Sequence, residues 1–269
     1  SWNIEPCERM LFFGSCFADN IGKRFTEEKF RAVVNPYGVM YNPASILHTV
    51  RRLTQDDAMP FSPDEQGTAV MTLGTNHVYI LKETGEIVDN CQKRPQRLFE
   101  ERELSVDECA GYLQKAISLL KSQTAASDGS EGTLKVIITV SPIRYAKYGY
   151  HGSQLSKSTL LLAADKLVKE NPGVVSYFPA YEIMNDELRD YRFYKEDMLH
   201  PSEQAVEYIW ERFRATYFGK AAELFLEDWR PIREALGHKP FHPESEEHQK
   251  FIARTEEKKR QFEEKYHLL

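Results

Sequence analysis

The sequence lacks the features that mark a membrane or secreted protein. Its 269 residues contain no apolar run near the roughly 20 residues that a membrane-spanning helix needs, and no basic, apolar leader is visible. The four cysteines, Cys7, Cys16, Cys91 and Cys109, lie far apart without a Cys-x-x-Cys pair. This spacing argues against a disulfide framework or structural zinc and favours a reducing compartment, so we expect a cytoplasmic location.

An excess of positive charge is also missing. The chain has 35 Lys and Arg residues against 41 Asp and Glu residues, which makes its net charge −6 and its pI about 5.8. This balance argues against nucleic acid or an anionic membrane as the main partner. No arrangement of His, Cys and carboxylate residues completes a metal-ligand pattern, so we expect neither a metal nor another cofactor.

What the chain does contain is an alternation of short apolar runs with amphipathic helical patterns. Such alternation predicts an α/β fold with a five-stranded parallel sheet covered by helices on both faces. The most β-branched run, 134–140, is predicted to be the central strand, and a hairpin at 77–81 and 86–88 is predicted outside the main sheet. The five predicted strands of the main sheet are 10–13, 31–35, 69–74, 134–140 and 174–178. The predicted helices are 19–28, 43–53, 105–122, 156–170 and 202–218.

The pattern changes at Gly219. Segments 221–236 and 244–265 are helical, and the second is heavily charged with few apolar residues. We therefore predict one domain over residues 1–218 and a C-terminal helical extension over 219–269. The extension either packs on the edge of the domain or forms an arm that binds a partner or a second copy of the chain.

The first candidate site is the turn at Ser15 and Cys16. An apolar run stops at Gly14, two nucleophile-capable residues follow, and a helical pattern then begins. This layout exposes a side chain at the end of a sheet, where the first amides of a helix favour a thiolate or an oxyanion. The turn therefore predicts Ser15 or Cys16 as the reactive residue. For Cys16, a small buried core residue is the plainer alternative.

The second candidate site is Asp197-Met198-Leu199-His200, just before the last predicted helix of the domain. A carboxylate three residues from an imidazole can fix its tautomer and leave the other ring nitrogen free as a general base. This pair and the Ser15–Cys16 turn would meet at the carboxyl edge of the sheet, where open α/β folds bind ligands. Capping of the following helix is the plainer alternative.

These motifs carry a family resemblance. Gly14-Ser15-Cys16-Phe17-Ala18 spells the motif after which the GSCFA family is named, and the chain is identified as a member of that family. Further agreement extends over 72–75, 90–93, 141–142, 155–157, 177–182, 189–194 and 197–202. The family looks like a branch of the SGNH (GDSL-type) hydrolases. That resemblance implies a three-layer α/β/α sandwich of flavodoxin-like type and acyl-ester chemistry.

Roles are carried over from this resemblance residue by residue. Asp197 and His200 match the hydrolases' Asp-x-x-His, and an overlay of Gly14-Ser15-Cys16 on their Gly-Asp-Ser puts Cys16 on the nucleophile. A thiolate suits a helix N-terminus that faces an imidazole, whereas the Ser15 hydroxyl can cap the helix. Cys16 is therefore favoured as the nucleophile, with Ser15 as the alternative.

The same resemblance implies an oxyanion hole. It places a donating amide at Gly38 and a side-chain donor at Asn76, with Asn42 as the competing candidate. Turn formation or helix capping is the plainer alternative for both asparagines.

Four further side chains are candidates for substrate binding. Lys93 lies in a loop that resembles a family motif and could hold an anionic group. Arg144 and Arg192 could bind a carboxylate or phosphate bidentately, or could instead fix the segment 181–194 by ion pairs. His151 is placed in a glycine-containing loop at the same sheet edge.

Two functions are consistent with these residues. The first is a metal-independent acyl-ester hydrolase or acyltransferase that acts on a small-molecule ester, such as an acylated carbohydrate. The alternative is a catalytically silent SGNH-like binding or scaffold protein that uses the same cleft and the charged C-terminal helix. The presence of both Cys16 and the Asp197–His200 pair favours the enzyme, because a binder needs neither.

Overall fold

The computed structural model describes residues 2–63, 65–89, 91, 94–125, 133–238 and 244–268. In chain order, the elements are β1 (Arg9–Gly14), α1 (Cys16–Glu27), β2 (Arg31–Val34), α2 (Pro43–Gln55), β3 (Gly67–Leu73), β4 (His77–Leu81), β5 (Glu86–Val88), β6 (Phe99–Glu103), α3 (Val106–Gln123), β7 (Leu134–Val140), α4 (Gly149–Glu170), β8 (Val175–Tyr177), α5 (Ala180–Glu182), α6 (Glu203–Tyr217), α7 (Lys220–Gly237) and α8 (Glu246–Lys265). A π-helical turn, Ile183–Leu188, follows α5 directly.

The main sheet has five parallel strands in the order β2-β1-β3-β7-β8. Leaving out the strands of the second sheet, this is the 2-1-3-4-5 order of flavodoxin-like doubly wound folds. The predicted fold class is therefore confirmed. The prediction of 134–140 as the central strand was wrong, because β3 lies in the middle. A run of β-branched residues indicates that a strand is buried on both faces, and β3 and β7 are both buried in this way. Such a run does not show which of the buried strands lies in the middle of the sheet.

The two faces of the sheet follow the alternation of side chains along β1. Leu11 and Phe13 point into a core shared with α2, α3 and α4, whereas Met10 and Phe12 point into a core shared with α1, α6 and α7. Successive residues of a strand point to opposite faces, so one apolar run supplies both cores. The result is a three-layer α/β/α sandwich whose carboxyl edge carries the residues discussed below.

A second, antiparallel sheet has the order β5-β4-β6. The predicted hairpin supplies β4 and β5 and lies outside the main sheet, as expected. Strand β6 was not predicted, because most of its residues are charged and exposed. Its sequence therefore lacks the alternation of apolar and polar residues that marks a strand. Its pairing with β4, from Leu81 opposite Phe99 to His77 opposite Glu103, defines it instead.

The C-terminal helices pack against the domain. Phe225, Trp229 and Phe262 belong to the same apolar core as α1 and α6, and the Trp229 indole donates a hydrogen bond of 2.8 Å to the Glu27 carbonyl. The boundary between residues 218 and 219 stays a prediction. Within the described part of the chain, no helix combines the length and apolarity needed to cross a membrane.

Candidate active site

The turn between β1 and α1 separates the roles of Ser15 and Cys16. Ser15 is fully buried and caps α1, since its Oγ accepts a hydrogen bond of 3.2 Å from the Phe17 amide. Cys16 is the first residue of α1 and is partly exposed. Of the two side chains, Cys16 is the one that a substrate can reach.

The turn is braced by residues that lie far away in sequence. The Ser15 amide donates to the Thr72 hydroxyl at 3.0 Å, and the Gly14 amide donates to Asn35 Oδ1 at 3.0 Å. Asn35 in turn donates to Asp19 in the first turn of α1. Gly14 has φ +136, and a Cβ there would overlap the Thr72 carbonyl, so the turn requires glycine.

Two tyrosines that sequence reasoning missed lie beside the Cys16 thiol. Tyr41 Oη is 3.9 Å from Cys16 Sγ, and the Tyr145 ring packs edge-on against Tyr41 with ring centres 6.3 Å apart. Burial, together with the neighbouring Cys16, raises the pKa of Tyr41 to about 12. Their position in the sequence could have identified them as site residues, because Tyr41 follows β2 and Tyr145 follows β7. Both therefore lie beyond the carboxyl ends of strands, where such folds bind ligands.

The Tyr145 hydroxyl is buried and finds no hydrogen-bond partner within the described part of the chain. It packs against Gly74, where a Cβ would overlap it. Burial raises the pKa of Tyr145, and the nearby Tyr41 and Cys16 raise it further. The phenol therefore stays protonated and can donate a hydrogen bond.

Asp197 and His200 form a preorganised pair before α6. Asp197 Oδ2 lies 2.6 Å from His200 Nδ1, while Oδ1 accepts the amides of Leu199 and His200 at 2.9 Å each. The backbone amides of His200 and Leu199 and the His200 ring lower the pKa of Asp197 to about 2. The carboxylate does not cap α6, because Ser202 fills that position.

The turn and the pair lie at the same edge of the sheet. The loop after β7 connects them, since Tyr145 packs beside Tyr41 and the Arg144 amide donates to the Leu199 carbonyl at 3.1 Å. Among the hydrogen bonds of the described residues, none joins Cys16 to the His200 ring. Catalytic hydrogen bonds often shorten only when substrate binds, so joint action of these residues stays a prediction.

The predicted oxyanion residues make other contacts. The Gly38 amide donates to the Asn35 carbonyl at 2.8 Å within a turn, and Asn42 caps α2 by accepting the Ser45 amide at 2.9 Å. Asn76 is buried, and its Nδ2 donates to the Leu104 carbonyl at 2.8 Å. Their oxyanion roles stay predictions.

The predicted substrate-binding residues are spread over this edge. Lys93 lies outside the described residues. The placement of His151 in a loop was wrong, because α4 begins at Gly149 and includes it; its side chain is exposed. Arg192 forms an exposed ion pair with Asp190 at 3.9 Å, whereas the Arg144 guanidinium donates to the Met198 carbonyl at 3.2 Å. Among the described residues, no group of three or more His, Cys, Asp or Glu side chains could hold a metal ion.

Lys157 joins two strand ends at this edge from inside the protein. Its Nζ donates to the carbonyls of Gly74, after β3, and Ser141, after β7, at 2.8 Å each. The side chain is buried, and this desolvation lowers the pKa of Lys157 to about 7. The motif Leu155-Ser156-Lys157 signalled this residue in the sequence, but its burial depends on the folded chain.

Lys157 is expected to make stability depend on pH. Because its pKa falls from 10.5 in the unfolded chain to about 7 in the folded one, the unfolded chain binds more protons between these values. The contribution of Lys157 to the unfolding free energy should therefore rise with pH across this window and stay flat below it. Lys157→Met should lack this rise when urea unfolding is compared at pH 7 and pH 9.

The control for this prediction is Lys169→Met. Lys169 is an exposed lysine of α4 that pairs with Asp165 at 2.7 Å. This variant should keep the pH dependence of the original protein. An equal pH dependence in Lys157→Met would contradict a titrating buried lysine.

The fold and this edge define a doubly wound α/β protein with a cysteine at the first strand–helix turn and a His–Asp pair before its last domain helix. The chain belongs to the GSCFA family, whose model matches residues 9–65 and 62–213. The model of the GSCFA domain protein, C-terminal domain, matches residues 229–268.

Comparison with curated proteins finds no match. Among solved structures, the chain is similar to a carbohydrate esterase family 3 from Talaromyces cellulolyticus, with 11% identity and a TM-score of 0.42 over 81% of this chain and 99% of that one. It is also similar to the inhibitor-bound aryl esterase of M. Smegmatis, with 12% identity and a TM-score of 0.44 over 78% and 99% of the two chains.

Proposed function

We propose that the protein is an acyl-ester hydrolase of SGNH type that uses Cys16, His200 and Asp197. The observation that carries this proposal is the partly exposed Cys16 thiol at the N-terminus of α1, at the sheet edge that also holds the preformed Asp197–His200 pair. Ser15 is buried as the helix cap, which supports the thiol as the nucleophile.

In the proposed reaction, Cys16 Sγ attacks the acyl carbonyl carbon while His200 takes the thiol proton. The tetrahedral intermediate collapses as the ester C–O bond breaks, and His200 gives its proton to the leaving alcohol. Water then attacks the thioester with His200 as base, which releases the acid and restores the thiol. Asp197 stays ionised and orients the imidazole throughout, in keeping with its lowered pKa. If the hydroxyl group of another molecule attacks the thioester in place of water, the same steps give acyl transfer.

Two donors are assigned to the developing oxyanion. One is the Cys16 amide, which lies among the first amides of α1 that have no acceptor within the helix. The other is the Tyr145 hydroxyl, which is buried, protonated and without a partner among the described residues. Asn76 is engaged by Leu104, so Tyr145 takes the side-chain role that the family resemblance assigns to Asn76.

The proposed substrate is an ester of a small molecule or carbohydrate. A cavity of about 380 Å³ adjoins the Asp197–His200 pair through Met198 and Leu199, and Tyr145, Tyr150 and Tyr181 contribute to its wall. Its volume lies within the range of ligand pockets, and the aromatic rings in its wall suit an acyl chain or a sugar ring.

Thiol alkylation tests the proposal. Burial raises the pKa of Cys7, Cys91 and Cys109, so these thiols should react slowly with iodoacetamide at pH 7. Cys16 should react first, and His200→Ala should slow only Cys16, as measured by peptide mass spectrometry at several pH values. Four equally slow thiols would contradict the proposal and support a silent binding protein.

A further inference from the structure

Arg144 combines an anchored position with free hydrogen-bonding capacity. Its amide donates to the Leu199 carbonyl, and its guanidinium donates to the Met198 carbonyl, so it is tied to the segment that ends at His200. A guanidinium has five N–H donors. Among the described residues, no salt bridge includes Arg144, and only the Met198 carbonyl accepts from its side chain.

Aromatic rings hold this guanidinium in place. Its carbon lies 5.4 Å from the centre of the Tyr150 ring, 5.6 Å from Tyr191 and 5.4 Å from Tyr194. These rings come from α4 and from the segment before Asp197, so two separate parts of the chain converge on one cation. Stacking against aromatic faces fixes the direction of a guanidinium while leaving its N–H edge available.

Two cavities meet at Arg144. The first, of about 380 Å³, and the second, of about 250 Å³, also share Gln154 and Asn185 as lining residues. Among its described lining residues the first cavity has the Arg144 guanidinium and the buried Lys157 amine, and no carboxylate. The second contains one carboxylate, Asp190, which pairs with Arg192. Arg144 therefore brings a positive charge to the cavity beside the His200 segment, and none of the described residues that line this cavity is acidic.

We infer that Arg144 forms an anion subsite and that the substrate is an ester that also carries a carboxylate or phosphate group. A half-buried guanidinium without an acidic partner gains a charge-assisted, bidentate contact when such a group enters. Gln154 and Asn185 add amide donors at the same wall. The inference rests on the proposed function for its reaction, but the subsite itself requires only the cavity and Arg144.

The kinetic test compares two esters that differ in charge. The anionic substrate is the mono-4-nitrophenyl ester of adipic acid, whose second carboxyl group is free and ionised. The neutral substrate is the same 4-nitrophenyl ester with that carboxyl group methylated. Arg144→Gln should raise KM for the anionic ester by about 10- to 100-fold, the range expected for one lost charge-assisted contact. KM for the neutral ester should rise much less, because losing the contact with the Met198 carbonyl affects both esters alike. The ratio of the two KM values therefore reports the subsite, and Arg144→Lys should be intermediate.

The control variant is Arg212→Gln. Arg212 also stacks on a tyrosine, with its guanidinium carbon 4.9 Å from the centre of the Tyr208 ring, but it forms an exposed ion pair with Glu187. It should behave like the original protein with both esters. Circular dichroism and thermal unfolding of each variant report whether the fold is retained.

A binding test separates this inference from the proposed function. Succinate and inorganic phosphate are titrated by calorimetry into the unmodified protein and into the Arg144→Gln, Arg144→Lys and Arg212→Gln variants. Binding that is lost in Arg144→Gln and kept in Arg212→Gln upholds the subsite even if neither ester is hydrolysed, and the tighter ligand identifies carboxylate or phosphate. Hydrolysis of both esters with equal KM, together with no Arg144-dependent binding, overturns the subsite and leaves the proposed function standing.

Discussion

Cys16→Ala is expected to lower ester hydrolysis by a factor on the order of 10⁴ or more, because it removes the attacking atom. The thiol is partly exposed. Among the described residues, its hydrogen-bond contact is with the Tyr41 hydroxyl, 3.9 Å from Cys16 Sγ. Cys16 also packs against the apolar core on the α1 side of the sheet. Alanine keeps its Cβ there, so the unfolding free energy should fall by no more than about 1 kcal/mol. Initial rates with 4-nitrophenyl acetate and urea unfolding measure the two effects.

Two other variants make the Cys16 result specific. Cys7→Ser should keep full activity, because Cys7 donates to the Tyr266 carbonyl near the C-terminal helix and lies outside the proposed site. Ser15→Ala should lose about 1 kcal/mol of stability as a missing helix cap, without abolishing turnover. Full turnover in Cys16→Ala combined with none in Ser15→Ala would assign the nucleophile to Ser15.

Tyr145→Phe is expected to lower kcat by about 100-fold or more, the effect of removing one oxyanion donor. The same change should leave stability equal or higher, since the buried hydroxyl has no partner among the described residues and its loss removes a desolvation cost. KM should change little, because this hydrogen bond forms mainly in the transition state. Steady-state kinetics and thermal unfolding test both parts.

Tyr217→Phe provides the matched control. Tyr217 is also buried, but its hydroxyl bonds with Ser176 Oγ at 3.0 Å on β8, away from the proposed site. This variant should lose about 1 kcal/mol of stability and keep full activity, the reverse of Tyr145→Phe. Unchanged activity in both variants would remove Tyr145 from the oxyanion site.

Much of the main sheet was predictable because its strands are short apolar runs bounded by turns. The run 134–140 coincides with β7, and the predicted helix 105–122 coincides closely with α3, which Ser105 caps with both hydrogen bonds of a capping box. Strand β6 escaped prediction because β4 defines it by pairing, while its own side chains are mostly charged and exposed. The first turn of α4 escaped because Gly149 and Gly152 favoured a loop there.

Some residues of the candidate site were also predictable from the local sequence, and others were not. Ser15 as a helix cap and the Asp197–His200 contact involve residues at most three apart. Local spacing was enough to predict the Asp197–His200 contact, whereas the family resemblance led to Ser15 as the cap. Asn35, Tyr145 and Lys157 could not be assigned in this way. Their contacts with Gly14, Gly74 and Ser141 connect separate strands and helices.

The chain's local patterns thus specify the strand–helix alternation, the Ser15–Cys16 turn and the Asp197–His200 pair, because each depends on neighbouring residues. Strand order, the buried Tyr145 hydroxyl and the cavity at Arg144 arise only when distant segments pack together. Burial is a property of the assembled edge, so no spacing of residues in the sequence encodes it.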